Sequence, residues 1–387
     1  HCQCRRQRQM CIRDSIAPFI PSWFAQSIIP VGLILIWYQM ILTCSSDFRY
    51  RLFVSIFSIV PTLILYYWQF PLANPLLLWS QIIFSIILVA FGLPIFILLA
   101  SLAIFFFLSE PTEWATNYDL ISTISDSAYR IVVSPTLAAI PIFTLAGYIL
   151  AESNMSDRLI KFFKSSLGWL PGSTVLIVVI LCAFFTALTG GSGVTILALG
   201  AILYPILVHD GYSKRFSLGI ITTAGSLGLL FPPSLPAIIY SVTAGINPLE
   251  LFRQALIPAI FLMSIMFFYG LYMLPKNKKI EKFNFKNAYN SAKIAKWEIA
   301  IPVLIILSLF SGFATLVESA ALLVLYVLTV ELYIFKDVSF KDLPKIIIDC
   351  STLVGGVLII LGFAMGFTGY LVAVSYTHLT LPTTLTV

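Results

Sequence analysis

Charge is scarce in this sequence. Only 10% of its 387 residues are Asp, Glu, Lys or Arg while 59% are hydrophobic, whereas soluble domains are about a quarter charged. That balance excludes a water-solvated globular domain. Histidine is nearly missing too: of three residues, His1 and His378 lie at the ends, leaving His209 alone. Histidine-based catalysis has almost nothing to work with. Three of the six cysteines fall within the first 14 residues, and Cys44, Cys182 and Cys350 stand singly in or beside apolar runs. Such spacing offers neither a disulfide framework nor a transition-metal site.

The two ends differ from the middle. Residues 1–14 (HCQCRRQRQMCIRD) hold four Arg and one Asp, and a polar, Thr-rich tail (SYTHLTLPTTLTV) begins at Ser375. The stretches QMCIRDS and VSYTHLTLPT look like translated adapter sequence, so 1–14 and 375–387 are expected to be non-native. Without residues 1–14 the formal charge of +6 falls to +3, and no nucleic-acid partner is expected.

Long uncharged runs fill the rest. A membrane-crossing helix needs about 20 apolar residues, because hydrocarbon about 30 Å thick is crossed at 1.5 Å per residue. Gln254–Pro275 fits one crossing, while Ser165–His209 and Phe216–Leu249 each exceed one. Orientation follows from the basic loops. Pro275–Trp297 carries seven Lys against Glu281 and is expected to be cytoplasmic, whereas Ser109–Arg130 carries four acids against one Arg and suits the opposite side. Helices are expected near 24–43, 52–70, 76–92, 94–108, 131–151, 216–244, 253–274, 298–312, 316–335 and 346–372. Residues 169–209 begin and end on the same side, as either a re-entrant hairpin or two full crossings. The fold class is an all-α polytopic membrane protein.

Two interruptions carry the chemistry. In FFTALTGGSGVTILALGAILYP (Phe184–Pro205), the cluster Thr189, Gly190, Gly191, Ser192, Gly193 is expected to unwind, since glycine costs about 1 kcal/mol in a helix interior. Thr195 follows one turn later. In TTAGSLGLLFPPSLPAIIYS (Thr222–Ser241), Pro232 and Pro233 break the run, with Gly225, Ser226 and Gly228 before them and Ser234 after. Unwound backbone at membrane depth exposes carbonyls that can ligate Na⁺, while half-helix N-termini face anionic substrate groups. The same residues would also serve as a tight turn, a close-packing surface or a proline kink.

Beyond these readings, the stretch from about Gly92 to Val372 resembles the large M subunit of TRAP (tripartite ATP-independent periplasmic) transporters. The resemblance rests on IPIFTLAGYILAES (Ile140–Ser153), GGSGVTILALGAILYPILVHDGYSKRF (Gly190–Phe216), GSLGLLFPPSLPAIIYS (Gly225–Ser241) and SGFATLVESAALLVLY (Ser311–Tyr326). Residues 15–51 resemble the end of the small Q subunit and 52–75 a connecting helix, as in a fused protein, with 76–374 the M-like domain. The resemblance implies an inverted-repeat elevator fold, present as the first repeat and the start of the second. It also implies a Na⁺-driven importer in the bacterial inner membrane, with no cofactor, receiving a C4-dicarboxylate or sialic-acid-class carboxylate from a periplasmic solute-binding protein. On this reading Thr189–Gly193 and Gly225, Ser226, Gly228, Pro232 and Pro233 hold Na⁺, and Thr195 and Ser234 meet the substrate. The second hairpin of the family lies beyond this chain, so transport by it alone is not expected.

Thr315-Leu316-Val317-Glu318 fits a capping box, which makes Glu318 a helix cap rather than a functional acid. A divalent-anion/Na⁺ symporter without a binding protein is the alternative within transport. A membrane-embedded enzyme is the alternative outside it, but the uncharged runs supply no cluster of acids, His or Cys.

Overall fold

Glycine and proline set where the helices stop. The computed structural model describes residues 94–109, 134–274, 283–312 and 314–379, with isolated positions at 83, 124, 126, 129, 130 and 133 and two short extended segments. The chain divides into two units, His1–Leu78 and Trp79–Val387. In the first, the described residues are β1 (Ser15–Ala17) and β2 (Ile20–Pro21), paired antiparallel. The helices expected at 24–43, 52–70 and 76–92 lie outside the described residues, Ile83 aside.

In the second unit the described regular structure is helical. It comprises α1 (Ile95–Ser109), α2 (Ala139–Glu152), α3 (Met155–Leu167), α4 (Ser173–Thr189), α5 (Ser192–His209), α6 (Lys214–Leu227) and α7 (Leu235–Ala244). These are followed by α8 (Pro248–Tyr272), α9 (Phe285–Ile294), α10 (Lys296–Phe310), α11 (Leu316–Thr329) and α12 (Leu343–Leu379). Six of the helical stretches are long and apolar enough to cross a membrane, and the chain is a multi-pass, all-α membrane protein.

The apolar pattern sorts the helices into inner and outer ones. α4 is hydrophobic on every side and almost wholly buried, as a helix without a polar stripe must be. It packs against α2, α3, α5, α6 and α8. α8 is apolar beyond its first turns but far less buried, with Ile257, Phe261 and Phe268 facing outward, the surface expected of a lipid-facing helix.

Local signals explain several ends. Thr315 Oγ1 accepts from the Glu318 N–H at 3.3 Å while Glu318 Oε2 accepts from the Thr315 N–H at 2.7 Å, so the capping box at the start of α11 is formed. α11 then widens into a π turn, Val330–Phe335, that closes at Lys336. The sequence reading missed α3 and α9. Both are short amphipathic helices that lie between the expected spans, α9 inside the basic loop Pro275–Trp297, and α3 turns Met155, Leu159 and Ile160 inward with Lys161 and Lys164 outward.

Candidate functional site

The two breaks lie side by side. α4 ends at Thr189 and α5 begins at Ser192, so the turn is Gly190–Gly191 alone. Gly190 takes φ +69°, a left-handed conformation that costs glycine nothing, and its N–H closes α4 on the Thr186 carbonyl at 2.9 Å. Ser192 and Gly193 were expected to be unwound, yet they form the first turn of α5. That turn tolerates them because its N–H groups have no partner inside the helix in any case.

The second break is also narrower than expected. Gly225 and Ser226 remain in α6, a 3₁₀ turn covers Gly228–Leu230, and the chain bends over Phe231–Pro233 through a cis Pro232–Pro233 bond before Ser234 leads into α7. Glycines bring the breaks together. A Cβ on Gly190 would lie 2.7 Å from the Leu235 Cβ, at the start of α7. One on Gly228 would lie 2.5 Å from the Thr186 Cβ, and one on Gly225 2.9 Å from the Ile196 Cγ1. On another side of α4, Gly147 of α2 lies so close that its Cβ would be 2.7 Å from the Thr189 nitrogen. Small residues at such contacts let helix backbones approach in a membrane protein.

This arrangement pairs opposite helix ends. α4 and the 3₁₀ turn end at the breaks and leave terminal carbonyls, which suit a cation. α5 and α7 begin there and leave N–H groups, which suit an anion. Hydroxyls fill the space between. Thr189 Oγ1 and Thr195 Oγ1 lie 3.0 Å apart across the first break, both buried. Ser234, which precedes α7, is fully buried and its hydroxyl has no hydrogen-bond partner in the protein. Thr186 is in the same state. The sequence reading missed it, although it sits one helical turn before the Thr-Gly-Gly cluster.

The tip of the hairpin packs against α12. The Cβ position of Gly191 is 3.4 Å from Leu353, four residues beyond Asp349 on that helix. If α4–α5 is re-entrant, its tip is shielded at this contact. Gly191→Cys is expected to react far more slowly with an impermeant thiol reagent than a cysteine placed in a surface loop; equal rates would indicate two full crossings.

A second cluster lies away from the breaks. Arg158 on α3 donates to Glu298 in the first turn of α10, to Glu331 in the π turn at 3.4 Å and to Asp337 at 2.5 Å. Its guanidinium carbon also sits 3.8 Å from the centre of the Phe335 ring. Glu298 and Glu331 are fully buried. Burial opposes the charge on Asp337, but hydrogen bonds from Arg158 and from the Asn154 N–H outweigh it and hold its carboxyl below the usual range. The sequence reading found no acid cluster because it looked inside the uncharged runs, and these acids flank them. Among the described residues no group of three or more His, Cys, Asp or Glu is placed to hold a metal ion.

Paired helix breaks held inside a bundle of spanning helices define a membrane protein with a polar centre of backbone and hydroxyl groups. Comparison with known proteins narrows that class. Residues 82–386 match the family described as the tripartite ATP-independent periplasmic transporter, DctM component, and the chain belongs to that family of transport permeases, which are not enzymes. It is 31% identical over 255 residues to the C4-dicarboxylate TRAP transporter large permease protein DctM of Vibrio cholerae serotype O1, covering 65% of this chain and 55% of that protein. It is 27% identical over 250 residues to the isethionate TRAP transporter permease protein DctMQ of Oleidesulfovibrio alaskensis, covering 64% and 39%. With the ectoine TRAP transporter large permease protein TeaC of Halomonas elongata it shares 29% identity over 213 residues, covering 54% and 50%. The chain spans about half the length of the curated relatives it matches.

Proposed function

We propose that the chain supplies the first half of the ion and substrate site of a Na⁺-coupled importer of carboxylates in the bacterial inner membrane. The observation that carries this reading is the juxtaposition of the two breaks at Gly190–Leu235 and Gly228–Thr186. Na⁺ is read as bound on the carbonyl side, by the ends of α4 and of the 3₁₀ turn together with Thr189. The substrate carboxylate is read as facing the starts of α5 and α7, with Thr195 and Ser234. The two ligands then sit at helix ends of opposite polarity only a few residues apart, which lets binding of one favour the other.

Relatives named for C4-dicarboxylates, isethionate and ectoine support a small, mostly anionic cargo. The fused isethionate permease supports a small membrane subunit joined to the large one, and the family description points to a periplasmic solute-binding protein as the third partner. The elevator movement and the inverted second repeat belong to the same reading. The test uses the full-length transporter reconstituted in vesicles. Thr189→Ala is expected to raise the Na⁺ concentration for half-maximal uptake by about tenfold, and Ser234→Ala to raise the substrate concentration for half-maximal uptake by a similar factor, the value of one or two lost oxygen contacts. Unchanged Na⁺ dependence in Thr189→Ala would sink the assignment.

A further inference from the structure

Between α4, α8 and α10 runs a groove of about 470 Å³ whose walls are apolar except for Arg253. Its floor is formed by Ala187 and Leu188, just before the first break, and by Phe231 and Pro232 in the second. Arg253 lies on α8, on the face that carries Leu256 into the same groove. The residue is exposed and has no carboxylate partner among the described residues. Glu250, one turn earlier, accepts from Gln254 at 3.1 Å instead, and the guanidinium meets only the Phe310 ring, 5.8 Å away.

The position of Arg253 along α8 explains why that charge is tolerated. Glu250, Arg253 and Gln254 make the first turns of α8 polar, and no charged residue follows until the helix ends at Tyr272. Those turns therefore lie at a bilayer interface, where a long cationic side chain keeps its head near water and its stem along apolar surface. Below them, Ile257, Phe261 and Ile306 are exposed beside the groove, so it opens toward lipid. An occupant must then be anionic at its interfacial end and apolar over its length. A small dicarboxylate does not fit, because it would leave one charge against carbon walls.

We infer that the groove seats an acyl chain of an anionic phospholipid whose phosphate pairs with Arg253. Arginine is suited to this, since its planar fork binds two phosphate oxygens at once. The chain of such a lipid would touch both helix breaks from the membrane side and support the residues that flank them. This inference stands apart from the Na⁺ reading, because it rests on the groove and the unpaired charge alone.

The test is lipid retention. The full-length transporter is placed in nanodiscs of mixed phosphatidylglycerol and phosphatidylcholine, released into mild detergent, and its bound lipid counted by native mass spectrometry. One phosphatidylglycerol per chain is expected, in preference to phosphatidylcholine. Arg253→Gln is expected to lower that preference about tenfold, the loss for one charge-assisted hydrogen-bonded pair. Leu256→Trp, which fills the groove from α8, is expected to abolish retention of both lipids while leaving the thermal midpoint in detergent near wild type. Equal retention of the two lipids by the wild type, an unchanged preference in Arg253→Gln, or lipid still held by Leu256→Trp would each overturn the inference. So would cross-linking through Ile306→Cys to a second protein chain, which would show the groove covered by protein.

Discussion

Arg158→Met is expected to destabilise the folded chain by about 3–5 kcal/mol, the loss that follows when one partner of a buried ion pair is removed. Three carboxylates converge on this guanidinium, two of them fully buried. Methionine fills much of the same space beside Phe335 but answers none of the charges. Arg158→Lys is expected to recover only part of the loss, because one ammonium cannot reproduce a planar fork that serves three acceptors on three sides. Thermal unfolding of the purified chain in detergent checks this, and an unchanged midpoint for Arg158→Met would show that the junction adds nothing. Asp337 contributes a pH dependence of definite sign. Its carboxyl is held below the ordinary range, so its contribution is present above the ordinary carboxylate pKa and is lost as the pH falls through the lowered one.

Gly147→Ala should injure the site itself. The added Cβ would lie 2.7 Å from the Thr189 nitrogen, 2.8 Å from the Leu188 carbonyl carbon and 2.9 Å from the Thr189 Cα. All three are backbone atoms of the last turn of α4, so no side-chain rotation relieves the contact. Overpacking of this kind costs about 1–3 kcal/mol, and the turn that must move carries the Thr189 hydroxyl, 3.0 Å from Thr195. In the full-length transporter, Na⁺-dependent uptake is expected to fall by about a hundredfold, as for a misplacement near 1 Å at a reacting centre. Gly356→Ala on α12 is the control, because no atom lies within 4 Å of its Cβ position. Equal uptake in the two variants would show that α2 does not set the position of the hairpin end.

Why these two positions escaped the sequence reading is physical. Gly147 sits in the middle of an apolar helix, where one glycine is indistinguishable from any small residue until a neighbouring backbone is placed against it. Arg158 and its acids are separated by well over a hundred residues, and each looks like an ordinary charge at the end of an apolar run. Only packing of α3 against the start of α10 and the end of α11 brings them together. Thr315 and Glu318 are the opposite case: their contact closes within one turn, so three residues of spacing sufficed to identify it. The basic loops likewise hid α3 and α9, because their charges were counted for sidedness and not examined for helical period.

The sequence by itself determined the solvent, the fold class, the family and the rough location of both breaks. The solvent, the fold class and the breaks depend on composition or on the conformational limits of glycine and proline a few residues apart, whereas the family rests on the resemblance of four ordered motifs. The tertiary structure decided the rest. It confined the first break to Gly190–Gly191, set it against Leu235 and the second break against Thr186, packed the hairpin tip against Leu353, and joined Arg158 to three acids. Those outcomes depend on which helix faces meet, and that is settled by packing across the bundle, not by any local stretch of chain.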